Sequence, residues 1–120
     1  LYLVSNGTAA VQDRRIEIAG IARYFNGIFI SERVGFVKPD KAFFDACFSF
    51  IPDFSRDKTV IVGDSLSSDI AGGINAGIRT CLFIPLKEAK KQKSGEGVVA
   101  YAPDYRVKNF KRLLLLLKRI

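Results

Sequence analysis

Histidine and methionine are both absent from these 120 residues. Without histidine there is no Ser-His-Asp triad and no imidazole-ligated metal. Two cysteines, Cys47 and Cys81, make neither a disulfide framework nor a zinc site. Each lies in an apolar run, 44–50 and 79–84, where a buried free thiol is expected. The longest apolar run near the end, Leu113–Leu117, is far below the ~20 residues that span a bilayer. No signal-peptide pattern is visible, and the expected compartment is cytoplasmic. The lack of methionine, at position 1 as elsewhere, and an opening directly inside an apolar strand lead us to expect an N-terminally truncated chain.

What is present fits one compact α/β domain over residues 1–120. Hydrophobic residues make up 48% and charged residues 26%, ordinary for a globular chain able to bury a core. The net charge of +7 raises the possibility of a polyanion partner. Lysine and arginine are spread along the chain, apart from clusters at 87–93 and 108–119, so nucleic acid is not the expected partner. Charge of this kind speaks to solubility and steering rather than fold.

Strand-like and helix-like segments alternate, the pattern of a parallel sheet. Leu1–Val4 reads as a buried strand. Thr8 is positioned to cap a helix reaching Ala19, with Gly20 as its stop. In that helix Val11, Ile16 and Ile18 are expected to pack, while Gln12, Asp13, Arg14 and Glu17 face solvent. Ile21–Phe25 reads as a short helical piece and Ile28–Ile30 as a strand. Ser31–Val37 is an expected loop, and Pro39 is expected to open a helix over residues 40–50 whose face is Phe43, Phe44, Cys47 and Phe48. Lys58–Val62 reads as a strand buried on both faces. Ser67 or Ser68 is expected to cap a helix over Asp69–Ala76, stopped by Gly77. Gly72-Gly73 inside it costs about 2 kcal/mol of helix propensity, which points to close backbone approach to the sheet. Arg79–Ile84 reads as a strand, 85–103 as a long lysine-rich loop, 104–107 as an edge strand and 108–120 as a helix whose leucines cover the sheet.

Three polar groups punctuate the strands. Ser5-Asn6-Gly7 follows the first; its hydroxyl and backbone N–H groups can donate to phosphate oxygens, although the same residues make an ordinary turn. Lys38, before Pro39, can hold an ammonium against a phosphoryl group; the plainer reading is a solvated lysine. Asp64 follows Val60-Ile61-Val62-Gly63, and Asp69 lies in the next helical turn. Two carboxylates suit Mg²⁺, which takes hard oxygen ligands plus waters and phosphate. The helix dipole alone accounts for Asp69, whereas Asp64, after a buried strand, is expected to need a partner. Such sites form at the carboxyl ends of parallel strands.

Ser5-Asn6-Gly7, Lys38-Pro39-Asp40 and the run from Gly63-Asp64 to Asp69 resemble motifs II, III and IV of the haloacid dehalogenase (HAD) superfamily. The resemblance covers nearly the whole chain. Residues 68–77 are most similar to the subgroup of small pyrimidine nucleotidases with a helical cap. The resemblance implies a three-layer Rossmann-like core that hydrolyses phosphomonoesters through an aspartyl-phosphate, with Mg²⁺ as cofactor. It implies that Ser5 and the Asn6 backbone bind phosphate, that Lys38 bridges phosphate and nucleophile, that Asp64 ligates Mg²⁺, and that Asp69 ligates it or holds its water and Lys38. The Gly63-Asp64 form implies phosphotransfer rather than dehalogenation.

The family's nucleophile sits in an Asp-x-Asp motif on a first, central strand, followed by the cap. No such motif occurs in this chain. The expected fold is therefore an incomplete parallel sheet lacking that strand and the cap, marginally stable alone or associating through the gap. The expected function is a phosphatase acting on a small phosphorylated metabolite such as a pyrimidine nucleoside monophosphate, inactive as this chain alone. The missing segment, or a partner chain, is expected to cover the open edges. A non-catalytic phosphate- or partner-binding module on the same scaffold is the alternative. A third reading, a basic surface binder using Lys111, Arg112, Lys118 and Arg119, stands against the expectation of no membrane partner.

Overall fold

The computed structural model describes residues 1–85 and 101–120, and divides into two compact units, Leu1–Phe54 and Ser55–Ile120. Most of the expected lysine-rich loop lies outside the described residues. In the first unit, strands β1 (Tyr2–Ser5) and β2 (Gly27–Ile30) pair in parallel, with Ser5 opposite Ile30. Helix α1 (Ala9–Ala19) and a 3₁₀ turn (Ala22–Tyr24) make the return crossing that a parallel pair requires. Gly20, at φ 66°, stops α1 in the left-handed conformation. A short α2 (Ser31–Val34) and α3 (Lys41–Phe48) complete the unit.

The second unit is a three-stranded parallel sheet in the order β3-β4-β5, from β3 (Val60–Gly63), β4 (Arg79–Phe83) and β5 (Tyr105–Val107). A π turn (Leu66–Ile70) runs into α4 (Ala71–Ala76), which crosses from β3 to β4. Helix α5 (Phe110–Arg119) follows β5, capped by Asn109, whose Oδ1 accepts from the Arg112 N–H at 2.8 Å. No helix among the described residues is long and apolar enough to cross a membrane.

Burial follows aromatic content in the first unit. Phe43, Phe44 and Cys47 of α3 are buried, with Ile30 of β2. Phe43 and Phe44 meet edge-on at 5.2 Å, and Phe48 stacks on Phe54 at 3.9 Å, geometries favoured by the ring quadrupole. In the second unit the middle strand is driest: Thr80, Cys81 and Leu82 of β4 are buried. Thr80, 0% exposed, needs internal partners. Asp104 Oδ2 accepts from its N–H at 2.9 Å, and Thr80 Oγ1 accepts from the Asp104 N–H at 3.0 Å. That exchange joins the start of β5 to β4 and satisfies the buried polar groups.

Several expectations are corrected. β1 is half-buried rather than buried. α1 buries none of its residues: Ile18 is 74% exposed and Val11 is also exposed. Thr8 occupies the α1 N-cap but its side chain makes no cap bond. Residues 31–34 form a helical turn, not a loop, because Ser31 Oγ is bonded to Gly7 and Gly35, at φ 90°, ends the turn. Pro39 precedes α3 rather than opening it; Lys38-Pro39, a cis peptide, lies in a turn closed by the Asp40 N–H on Val37 O at 2.9 Å. β3 begins at Val60, after a 3₁₀ turn at Arg56–Lys58. It is not buried on both faces: Val62 is 37% exposed, and among the described residues β3 is laddered to β4 alone. Ser65, not Ser67 or Ser68, caps the following turn. The leucines of α5 do not all cover a sheet. At 100° per residue five in a row encircle much of a helix, so Leu113 and Leu116 are half-buried while Leu114, Leu115 and Leu117 are exposed.

The close approach expected of the glycine pair is seen at Gly73, where a Cβ would lie 2.5 Å from Thr80 Cγ2 and 2.6 Å from Ile61 Cγ2. Both neighbours are β-branched strand residues with little freedom to turn aside. Overpacking of about 1–3 kcal/mol therefore outweighs the gain of about 1 kcal/mol in helix propensity. Gly73→Ala is expected to lower the urea midpoint of unfolding; an unchanged or raised midpoint would refute the contact. Burial also pushes the Cys47 thiol up to about 11, against a backbone hydrogen bond and the Lys38 charge, and raises that of Cys81. A thiol pKa raised on folding contributes its full stability below the unfolded value of about 8.5, and that contribution is lost as pH climbs towards the folded one. Both thiols are expected to resist a disulfide reagent at pH 8 until denaturant is added, and stability is expected to fall above about pH 9.

Candidate functional site

The carboxyl end of β1 is built from side chains rather than from a bare turn. Ser5 is the last residue of the ladder, and Gly7 follows at φ 133°, a conformation suited to glycine. Asn6 Nδ2 donates to Lys38 O at 3.0 Å, and Asn6 Oδ1 accepts from the Lys38 N–H at 2.9 Å. One amide thus grips both polar atoms of one residue 32 positions away. The Lys38 ammonium reaches back to Val4 O at 3.4 Å, beside Ser5, and the side chain is half-buried. Ser31 Oγ accepts from the Gly7 N–H at 2.9 Å and donates to Gly7 O at 3.2 Å. Glu32 Oε1 accepts from the Ala9 N–H at 3.1 Å, an acid at the positive end of α1. Arg33 makes a two-point bond to Asp13, and that hydrogen bond holds the Asp13 carboxyl below its usual range.

Ser5, Asn6 and Lys38 are therefore brought together within the first unit. The Ser5 hydroxyl donates to Asn6 O at a long 3.2 Å and accepts from Gln12 Nε2 at 2.8 Å. Gln12 is not the solvent-facing residue its helical phase suggests. Side chains on a helix lean towards its N-terminus, so a residue in the second turn reaches the loop that enters the helix. That rule was the available signal for Gln12. No local signal marks the Asn6 side chain, whose partner is distant in sequence, or Ser31.

The second unit carries the acids. Asp64 stands one residue beyond β3 and is exposed, so the expectation that it must be neutralised by a partner does not hold. Val62 and Asp64 lie on the open side of a half-covered strand, where water solvates the charge. Asp69 is different: 7% exposed, with Oδ2 accepting from the Ser65 N–H at 3.3 Å. The π turn places it. Ser65 O accepts from both the Asp69 N–H at 3.0 Å and the Ile70 N–H at 3.1 Å, a wide turn of a kind frequent at functional sites. Its carboxylate then lies where a Gly63 Cβ would stand, so residue 63 must be glycine.

Among the described residues no three His, Cys, Asp or Glu side chains cluster as a metal cage. The donor set still fits Mg²⁺, which is held through one or two carboxylates with water and substrate oxygens filling its octahedron. Exposed Asp64 has lone pairs to give, and buried Asp69 is fixed beside it in sequence by the Ser65 bonds.

Residues 1–83 match the family of haloacid dehalogenase-like hydrolases. The chain belongs to that family. It is similar to the pyrimidine 5'-nucleotidase PynA of Streptococcus pneumoniae, 45% identical over 85 residues, 71% of this chain and 36% of the relative. It is 37% identical to the pyrimidine 5'-nucleotidase YjjG of Escherichia coli over 115 residues, 96% of this chain and 48% of the relative. The crystal structure of the HAD-hydrolase YfnB of Bacillus subtilis, bound to magnesium, superposes with a TM-score of 0.85 at 37% identity, covering 98% of this chain and 48% of that one. The chain thus spans half or less of the length of these relatives. The HAD hydrolase family, its α/β fold of parallel strands and its standing as an enzyme by kinship agree with the motif reading.

Asn6→Ala removes both bonds to Lys38. At about 1 kcal/mol for each bond, a loss of about 2 kcal/mol is expected by urea unfolding, with faster hydrogen exchange at the Lys38 amide. Unchanged exchange there would show that Asn6 does not hold this peptide.

Proposed function

We propose that this chain supplies the phosphate- and cation-binding groups of a Mg²⁺-dependent phosphomonoester hydrolase acting on a small phosphorylated metabolite. A pyrimidine nucleoside monophosphate is the first candidate, on the strength of the two nucleotidase relatives. The observation that carries the reading is the fastening of the Ser5-Asn6-Gly7 turn to Lys38 by the reciprocal amide bonds of Asn6. It keeps a hydroxyl donor and an ammonium at one strand end in the first unit, suited to the spread negative charge of a phosphoryl group. A turn serving only to reverse the chain has no use for a lysine gripped at both backbone atoms.

In the second unit Asp64 and Asp69 would hold Mg²⁺, which when bound supplies charge neutralisation at phosphate oxygens. The chain's own contributions are binding and orientation. Lys38 neutralises, Ser5 and the N–H groups after it orient, and Gly63 leaves room for the Asp69 carboxylate. The attacking carboxylate implied by the family has no Asp-x-Asp motif to supply it in this sequence, so the chain alone is read as inactive. β1 and β3 each carry a ladder along one edge. Added strands, from a further segment or a partner chain, would pair with the other edges.

Titration with Mg²⁺ is expected to move the amide resonances of residues 63–69, and Asp64→Asn to weaken that binding by about tenfold or more. No phosphate release from pyrimidine nucleoside monophosphates or an aryl phosphate is expected from the chain alone. A loop unmoved by Mg²⁺ would refute the cation role. EDTA-sensitive phosphate release, lost in Asp64→Ala, would refute the inactivity and show a complete site.

A further inference from the structure

Gln12 makes contacts that a helix surface residue does not need. Its Nε2 lies 2.8 Å from Ser5 Oγ and 2.8 Å from Asn6 O. Asn6 O is a backbone carbonyl and can only accept, so the amide nitrogen, not its oxygen, must face the turn. Its two protons are then both committed, one to each oxygen. Ser5 Oγ receives one of them, and a hydroxyl that accepts from a strong donor is left with its own proton to give. In this structure that proton goes to Asn6 O at 3.2 Å, a weak arrangement to an oxygen already bonded at 2.8 Å by Gln12.

Room for this arrangement is provided by the neighbouring glycine. A Cβ on Gly7 would lie 3.0 Å from Gln12 Nε2 and 3.3 Å from its Cγ. The glycine at φ 133° therefore serves both the turn and the passage of the Gln12 side chain. The space and the hydrogen bonds are independent observations, and they agree.

We infer that Gln12 is a positioning residue that polarises Ser5: by donating to Ser5 Oγ it fixes the hydroxyl as a proton donor to a bound phosphate oxygen. The inference rests on the proposed phosphate role of Ser5 and adds the residue that sets its direction. On binding, the Ser5 proton leaves Asn6 O for the anion, no covalent bond changes, and Gln12 keeps both of its own bonds.

The test is inorganic phosphate titrated into the isotope-labelled chain, followed at the amides of residues 5–8 and at the Gln12 side-chain amide. Gln12→Leu removes the donor without adding charge. Gln12→Glu keeps the stem and length, and serves if the leucine variant does not fold. Each, like Ser5→Ala, is expected to weaken phosphate binding by about tenfold. Since Gln12 acts through Ser5, adding either Gln12 variant to Ser5→Ala is expected to cost less than about twofold more. In the unaltered chain phosphate is expected to shift the Gln12 side-chain amide signals.

Phosphate affinity unchanged in Gln12→Leu or Gln12→Glu, with Ser5→Ala impaired, would overturn this inference and leave the phosphate site standing. Additive losses in the double variant would also overturn it, by showing that Gln12 merely braces the loop. No phosphate response at residues 5–8 in the unaltered chain would sink the reading beneath it as well.

Discussion

In a parallel ladder each strand must be entered from the same end, so the connections from β1 to β2 and from β3 to β4 each run the length of their sheet and back. That constraint produces α1 between β1 and β2, and the π turn with α4 between β3 and β4. It also gathers the loops that leave the strands at the carboxyl ends. Ser5 is the last paired residue of β1, and Asp64 follows the last residue of β3. Polar side chains gather at these strand ends because there the chain leaves its ladder, and backbone polar atoms need other partners.

How those polar atoms are satisfied distinguishes the two units. In the first, side chains do the work: Asn6 grips Lys38, Ser31 grips Gly7, and Gln12 grips Ser5 and Asn6. The half-buried Lys38 is thereby held at both of its backbone polar atoms, with its ammonium turned back towards Val4 O. In the second, the backbone does it: Ser65 O accepts twice and the Ser65 N–H donates to Asp69. The two carboxylates then differ: Asp64 is exposed, whereas Asp69 is buried and bonded to the Ser65 N–H.

Three glycines act as space rather than as flexibility. Gly63 makes room for Asp69, Gly7 for Gln12, and Gly73 for Thr80 and Ile61. At each, a methyl group would strike a neighbouring side chain. The helix-propensity penalty of Gly73 is thus accepted because α4 lies against its strands, and Gly63 is what lets the Asp69 carboxylate lie against the end of β3.

Local pattern was enough for the strand–helix alternation, the stops at Gly20 and Gly77, the buried face of α3 and the family motifs, because these depend on periodicity and on neighbours within a few positions. Its reading failed wherever a distant partner decides. Val11 and Ile18 carry an apolar signal yet lie exposed, and Val62 sits in an apolar run yet faces solvent, since burial requires a second surface. Ser31 begins a helical turn because its hydroxyl meets Gly7, 24 residues earlier. Only the tertiary structure turned Asn6 from a turn residue into the clamp on Lys38. Hydrogen bonds across long sequence separations leave no periodicity to read.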